Sequence, residues 1–181
     1  MRHLPAAGYR AMPWKNGGGI TREAAVFPEK GDFVWRLSLA TVAADGPFSA
    51  FPGVDRTLTV LEGPGIELAV AGKAPARLVP GAPFAFPGDV AAGARLLGGA
   101  VTDFNVMSRR DRLAHRVEAR RAAAPETLTY AGTWAILALD PLDVAGSRLG
   151  RHDLALFQPG ESAALPAQNV GFLLVSFEDR A

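Results

Sequence analysis

The sequence contains no cysteine, which excludes disulfides, thiolate metal sites and a cysteine nucleophile. Histidine is nearly as scarce: His3, His115 and His152 are the only ones, and their separation in the chain cannot build an HxH or HExxH metal motif. Neither a metal nor a cofactor is expected. No apolar run reaches the roughly 18 to 20 residues that cross a bilayer, and Met1 to Arg10 lacks the apolar segment of a signal peptide. The expectation is a soluble, cytoplasmic protein. Charge of one sign is also lacking: 19 Lys plus Arg against 18 Asp plus Glu leave a net +1. That balance gives no field for nucleic acid or an anionic membrane.

What is present is apolar and heavily punctuated. Hydrophobic residues make up 49% of 181, enough for a domain of this size to bury about 70% of the surface its unfolded chain exposes. Gly and Pro together supply 34 residues, about 19% against roughly 12% on average, spread along the chain rather than pooled in a linker. Gly63-Pro64-Gly65, Pro80-Gly81, Pro87-Gly88, Gly98-Gly99 and Pro159-Gly160 mark turns, because Pro fixes φ and Gly permits either sign of it. Between them run short alternating segments. Trp35, Leu37 and Leu39 oppose Arg36 and Ser38, Leu58 and Val60 oppose Thr57 and Thr59, and Ile66, Leu68 and Val70 oppose Glu67 and Ala69. Further strands are expected over 76–79, 84–86, 95–97, 102–107, 134–139, 154–158 and 170–177. The best helix signal, Asp111 to Ala124, has only a thin apolar stripe, and its 115–121 part reads as an edge strand or a short helix. The fold class is all-β, an antiparallel sandwich or barrel.

An internal repeat is visible. Phe84 to Asp89 matches Leu156 to Glu161 at an offset of 72, and Thr57 to Leu61 matches Thr133 to Leu137 at an offset of 76. The same order at nearly the same offset points to two copies of one β unit. The first, residues 1–110, carries the polar candidates. The second, residues 111–181, is shorter and more apolar and is expected to complete the core.

The densest polar feature is Pro13-Trp14-Lys15-Asn16-Gly17-Gly18-Gly19-Ile20-Thr21-Arg22-Glu23. Successive glycines suit a backbone that enters φ > 0 or approaches something closely, and consecutive exposed N–H groups can hold an anion. A tight reversal beside an anchoring Trp14 is the alternative. It is not a P-loop, since the GxxxxGK[ST] order and a following helix are missing. Next, Asp45 to Ser49 and Phe51 to Arg56 frame an apolar lip with donors and acceptors; Asp55 and Arg56 alternate, so at most one points inward. Third, Asp103, Asn105 and Met107 share a strand face opposite Phe104 and Val106, a pattern that suits a wet cavity, as do Arg36 and Ser38. The arginines of 109–121 have no interleaved aromatic and read as a solvated face.

Trp14-Lys15-Asn16-Gly17-Gly18-Gly19 with Thr21-Arg22-Glu23, Trp35-Arg36-Leu37-Ser38, Asp45-Gly46-Pro47-Phe48-Ser49, Phe51-Pro52-Gly53-Val54-Asp55-Arg56, Phe86-Pro87-Gly88-Asp89 and Asn105-Val106-Met107 together resemble the HutD/Ves family over residues 13 to 110. The resemblance implies a cupin-type double-stranded β-helix (jelly roll) in a bicupin of two stacked units. It also implies a regulatory or accessory role in bacterial histidine utilisation. Ordinary cupins hold a metal through histidines and a glutamate; the corresponding stretches here carry Glu62 and no histidine.

The resulting expectation is a metal-free protein that binds a small carboxylate of the histidine pathway, urocanate or formylglutamate in type. Lys15, Arg22, Arg36 and Arg56 are its cationic candidates, Asn16, Thr21, Ser38 and Asn105 its neutral polar ones, and Trp14 and Phe51 its walls. A protein of the pathway and a second copy of the chain are further candidate partners. The rival is a metal-independent isomerase, epimerase or lyase with Asp45, Glu23 or Asp103 as base. A third reading is a structural scaffold with the Trp14 to Arg22 region packed and ligand-free.

Overall fold

The computed structural model describes residues 1–14 and 17–180. In chain order its strands are β1 (Arg2–Leu4), β2 (Arg10–Pro13), β3 (Gly19–Phe27), β4 (Trp35–Val42), β5 (Gly46–Pro47), β6 (Val54–Glu62), β7 (Ile66–Val70), β8 (Ala76–Leu78), β9 (Pro83–Pro87), β10 (Ala92–Leu96) and β11 (Val101–Arg109). They continue with β12 (Leu113–Arg121), β13 (Glu126–Thr129), β14 (Trp134–Ala138), β15 (Leu142–Val144), β16 (Ser147–Leu149), β17 (Leu154–Phe157), β18 (Ser162–Leu165) and β19 (Gly171–Asp179). A 3-10 turn over Ala6–Gly8 is the one helical piece among the described residues. The all-β expectation holds, and the ambiguous 115–121 segment is a strand at the edge of its sheet.

The chain divides into two compact units, residues 10–113 and residues 1–9 with 114–181. In the 10–113 unit, one sheet has the order β2-β3-β4-β11-β6-β9 and the other β5-β10-β7-β8. In the remaining unit the main sheet runs β1-β17-β14-β19-β12, beside the small sheets β13-β18 and β15-β16. Thus β4-β11-β6-β9 in one unit corresponds in order to β12-β19-β14-β17 in the other. Residues 1–9, which the sequence pattern grouped with the first unit, contribute β1, paired antiparallel to β17 from Arg2↔Leu156 to Leu4↔Leu154.

Apolar alternation builds both interiors. In the 10–113 unit Leu58, Val60, Ile66, Leu68, Phe86 and Val101 are buried together. In the other unit Trp134, Ile136, Phe157, Phe172 and Leu174 fill the interior, with Trp134 and Phe157 stacked at 3.9 Å between ring centroids. Arg56 is opposite Phe86 on the β6–β9 ladder, and Trp134 is opposite Phe157 on β14–β17. Each Phe precedes a Pro-Gly turn by one or two residues. An indole therefore stands where the first unit has a guanidinium. By these pairs the offset is 78 from β6 to β14 and 71 from β9 to β17, against 76 and 72 in the sequence match, and the one-residue change on the second strand exchanges the faces that the sequence match had aligned.

Candidate functional site

Register sets the site. Across β3, β4, β11 and β6, Thr21, Ala40, Asp103 and Val60 form one row of partners, and Glu23, Ser38, Asn105 and Leu58 form the next. A third row joins Arg36, Met107, Arg56 and Phe86. Opposed residues on an antiparallel ladder share a face, so the polar members of these rows converge on one side. From these rows Thr21, Arg36, Ser38, Ala40, Arg56, Asp103, Asn105 and Met107 line a cavity of about 630 Å³, with Met12, Pro13, Trp14, Pro47, Phe48, Ser49 and Phe51 completing its wall, while Glu23 lies behind Arg36. Leu37, Leu39, Phe104 and Val106 point to the opposite face and are also buried.

Arg56 is 6% exposed and Asp103 1%. Arg56 donates from Nη2 to Asn105 Oδ1 at 2.8 Å and from Nη1 to the Ser49 carbonyl at 3.4 Å. Its guanidinium lies over the rings of Phe48, Phe51 and Phe86 at 5.4, 5.5 and 5.1 Å. A cation buried among aromatic faces gains quadrupole attraction that offsets part of its desolvation. Burial still pulls the Arg56 pKa down to about 10, with the Asp103 charge opposing. Asn105 Nδ2 donates to Asp103 Oδ1, so Asn105 bridges the two. Burial pushes the Asp103 carboxyl up to about 7, against the pull of Arg56.

Arg36 is held differently. Its Nε donates to Glu23 Oε2 at 2.7 Å, while Glu23 Oε1 accepts from Arg10 Nη2 at 2.7 Å. Glu23, a candidate base in the sequence, has both carboxylate oxygens engaged by arginines and fixes the angle of Arg36. Nη1 and Nη2 of Arg36 meet no acceptor among the described residues and belong to a cavity-lining side chain.

Of the residues singled out from sequence, Trp14, Thr21, Arg36, Ser38, Phe51, Arg56 and Asn105 line this cavity. Arg22 does not. On β3 it alternates with the inward Thr21 and Glu23, and its Nη1 donates to Thr41 Oγ1 at 3.2 Å on the exposed side. Lys15 and Asn16 lie outside the described residues. Asp45, another candidate base, accepts the Leu96 N–H at 2.7 Å and pins a loop instead of facing the cavity. Asp55 pairs with Arg110 at 2.7 Å, so of the Asp55 and Arg56 pair only the arginine points inward.

The glycine run serves as the hairpin turn between β2 and β3. Gly17 has φ +71° and donates its N–H to the Trp14 carbonyl at 3.0 Å, and the Trp14 N–H returns to Gly19 at 3.0 Å. A Cβ on Gly19 would lie 2.4 Å from the Thr41 carbonyl oxygen and 3.0 Å from the Trp14 ring. The turn carries Trp14 into the cavity wall, where its Nε1 donates to Thr21 Oγ1 at 2.8 Å. Met12 was not found from sequence, because Arg10–Pro13 is too short to show alternation.

A cupin-type metal does not fit these residues. Among the described residues the cavity's wall carries no histidine and Asp103 as its one carboxylate, and Arg36 and Arg56 present positive charge to it. Among the described residues no cluster of His, Cys, Asp or Glu is suited to hold a metal.

The fold is all-β and cupin-like. A cupin 2 conserved barrel domain protein from Leptotrichia buccalis matches with a TM-score of 0.61 at 10% identity, covering 94% of this chain and 96% of that one. At that identity the likeness concerns the fold alone. The HutD family profile matches residues 6–175, and the chain belongs to this family, which is associated with the histidine utilisation locus. The HutD structure from Pseudomonas fluorescens SBW25, obtained in a formate condition, is 32% identical with a TM-score of 0.89 and 99% of each chain covered. An uncharacterised 21.2 kDa protein in the hutC 3' region of Pseudomonas putida is 43% identical over 117 residues, 64% of this chain and 62% of that relative's length. No helix among the described residues is long and apolar enough to cross a membrane.

Proposed function

We propose that the 10–113 unit binds a small carboxylate metabolite of histidine utilisation, urocanate or formylglutamate in type, without a metal ion. The observation that carries this reading is Arg36: a cavity-lining guanidinium anchored through Nε to Glu23, with Nη1 and Nη2 meeting no acceptor among the described residues. Those two donors form the planar fork that a carboxylate accepts bidentately. Ser38 and Asn105 sit beside it as hydrogen-bonding groups, Trp14, Phe48 and Phe51 supply apolar wall, and Arg56 adds charge from within. A cavity of about 630 Å³ falls within the range of small-molecule sites. Occupancy would then bias contact with a protein of the same pathway, a regulatory or accessory role in a two-unit cupin.

Trp14 in the wall provides the assay. Titration with urocanate, formylglutamate and formate, against their amides or alcohols, should change its fluorescence saturably for the acids alone. In Arg36→Gln the apparent Kd should rise on the order of 10- to 100-fold, the loss of a charge-assisted bidentate contact. Equal affinity for acids and amides would sink the reading. A second reading, proton-transfer catalysis, is favoured by one observation: Asp103 lies in the cavity with its carboxyl pushed up to about 7, where a general base works well. Deuterium uptake from heavy water into a bound acid, abolished in Asp103→Asn, would support catalysis.

A further inference from the structure

The two units differ at one sheet edge. In the 10–113 unit β4 is covered on its outer side by the β3–β2 hairpin. In the other unit the strand at the corresponding place, β12, ends its sheet, and no further strand of the described residues lies beyond it. β12 is nine residues long, and an edge of that length presents unpaired N–H and C=O groups that favour strand addition.

From this edge we infer that a second copy of the chain occupies the place of the missing hairpin, the two β12 strands pairing antiparallel about a twofold axis at Val117. Several constraints select that register. A twofold axis perpendicular to the sheet makes opposed residues sum to an even number, because partners must share a face. Only the axis at Val117 overlaps all of Leu113–Arg121. It also sets Arg116 of each copy opposite Glu118 of the other, twice, with His115 opposite Ala119 and Ala114 opposite Arg120. No like charges are opposed. An axis at Glu118 would instead oppose Arg116 to Arg120, and an axis at Ala119 would leave only 117–121 overlapping.

The side chains suit the exchange. Within one chain Arg116 Nε lies 2.7 Å from Glu118 Oε1, with the arginine side chain 77% exposed. The same pair can be made across the edge without uncovering a buried group. Arg120 is already engaged, donating to Glu126 Oε2 at 2.6 Å and lying over the Phe172 ring at 5.9 Å. This surface lies on different strands from the cavity and is independent of the ligand reading.

Sedimentation equilibrium at low salt tests the pairing. The intact chain should show a dimer that weakens as salt is added. Glu118→Arg turns both cross-strand attractions into repulsions and should raise the dimer Kd on the order of 10- to 100-fold. Arg116→Glu should do the same. The double exchange, Arg116→Glu with Glu118→Arg, restores opposite charges and should recover the dimer, with unchanged circular dichroism certifying folding in each variant. A chain that stays monomeric at hundreds of micromolar overturns the inference. So does a dimer indifferent to Glu118→Arg, or a double exchange that fails to recover it.

Discussion

Replacing Asp103 with asparagine should stabilise the protein at pH 8 and leave it nearly unchanged at pH 4. Burial lifts the Asp103 carboxyl from 3.8 to about 7 even with the pull of Arg56 included. Between these values the folded protein holds a proton that the unfolded chain has released. Its contribution is therefore fully present below pH 3.8 and is lost as the pH rises through about 7. A difference of about 3 pH units corresponds to about 4 kcal/mol, which for a chain of this length shifts Tm by roughly 10 °C. Asparagine keeps an oxygen to accept the Asn105 Nδ2–H and never ionises, so Asp103→Asn should escape this loss. Asp89, held low by its hydrogen bond from Arg110, acts in the opposite sense. Its contribution is present above 3.8 and fades only as the pH falls below it, so the two limbs separate. Thermal unfolding of both proteins between pH 4 and 8.5 gives the comparison. A native protein whose Tm rises from pH 5 to 8 alongside an Asp103→Asn variant that is less stable at pH 8 would refute the reasoning.

Other expectations follow from single contacts. Gly19→Ala forces a Cβ toward the Thr41 carbonyl oxygen and Trp14, and should cost about 1 to 3 kcal/mol in urea unfolding, with Trp14 fluorescence altered. Trp134→Ala removes a fully buried ring stacked on Phe157 and should cost about 3 to 5 kcal/mol. Ser38→Ala, at a buried position where its hydroxyl meets no hydrogen-bond partner among the described residues, should leave the unfolding free energy within about 1 kcal/mol of native while weakening acid binding a few-fold. Arg22→Ala, whose side chain lies away from the cavity, should leave acid binding unchanged in the same titration.

Much of the architecture was legible because its signals are local. Turn residues and period-two alternation located β4, β6, β7, β11, β14 and β19, and alternation also put Arg36, Ser38, Asp103 and Asn105 on one side of their strands. The strand β3 was hidden by its own start: the Gly17-Gly18-Gly19 run reads as a loop, yet Gly19 is the first residue of β3, glycine there because Thr41 and Trp14 leave no room for a Cβ. Arg22 was misplaced for the same reason, since its facing is defined only once β3 exists. The pairing of Glu23 with Arg36 needs a register across β3 and β4 that includes an irregularity between Glu23 and Ala25, and no spacing in the sequence encodes it. Pairing of β1 with β17 joins residues about 150 positions apart, which three residues of strand cannot announce.

The account rests on Arg36 offering an unmet fork to an acid inside the first unit. A crystal structure of the protein with formylglutamate tests this directly. The expected result is a ligand carboxylate within hydrogen-bond distance of Arg36 Nη1 and Nη2, with its chain against Trp14 and Phe51. A carboxylate bound elsewhere, or Arg36 Nη1 and Nη2 occupied by a protein acceptor that excludes it, would contradict the account.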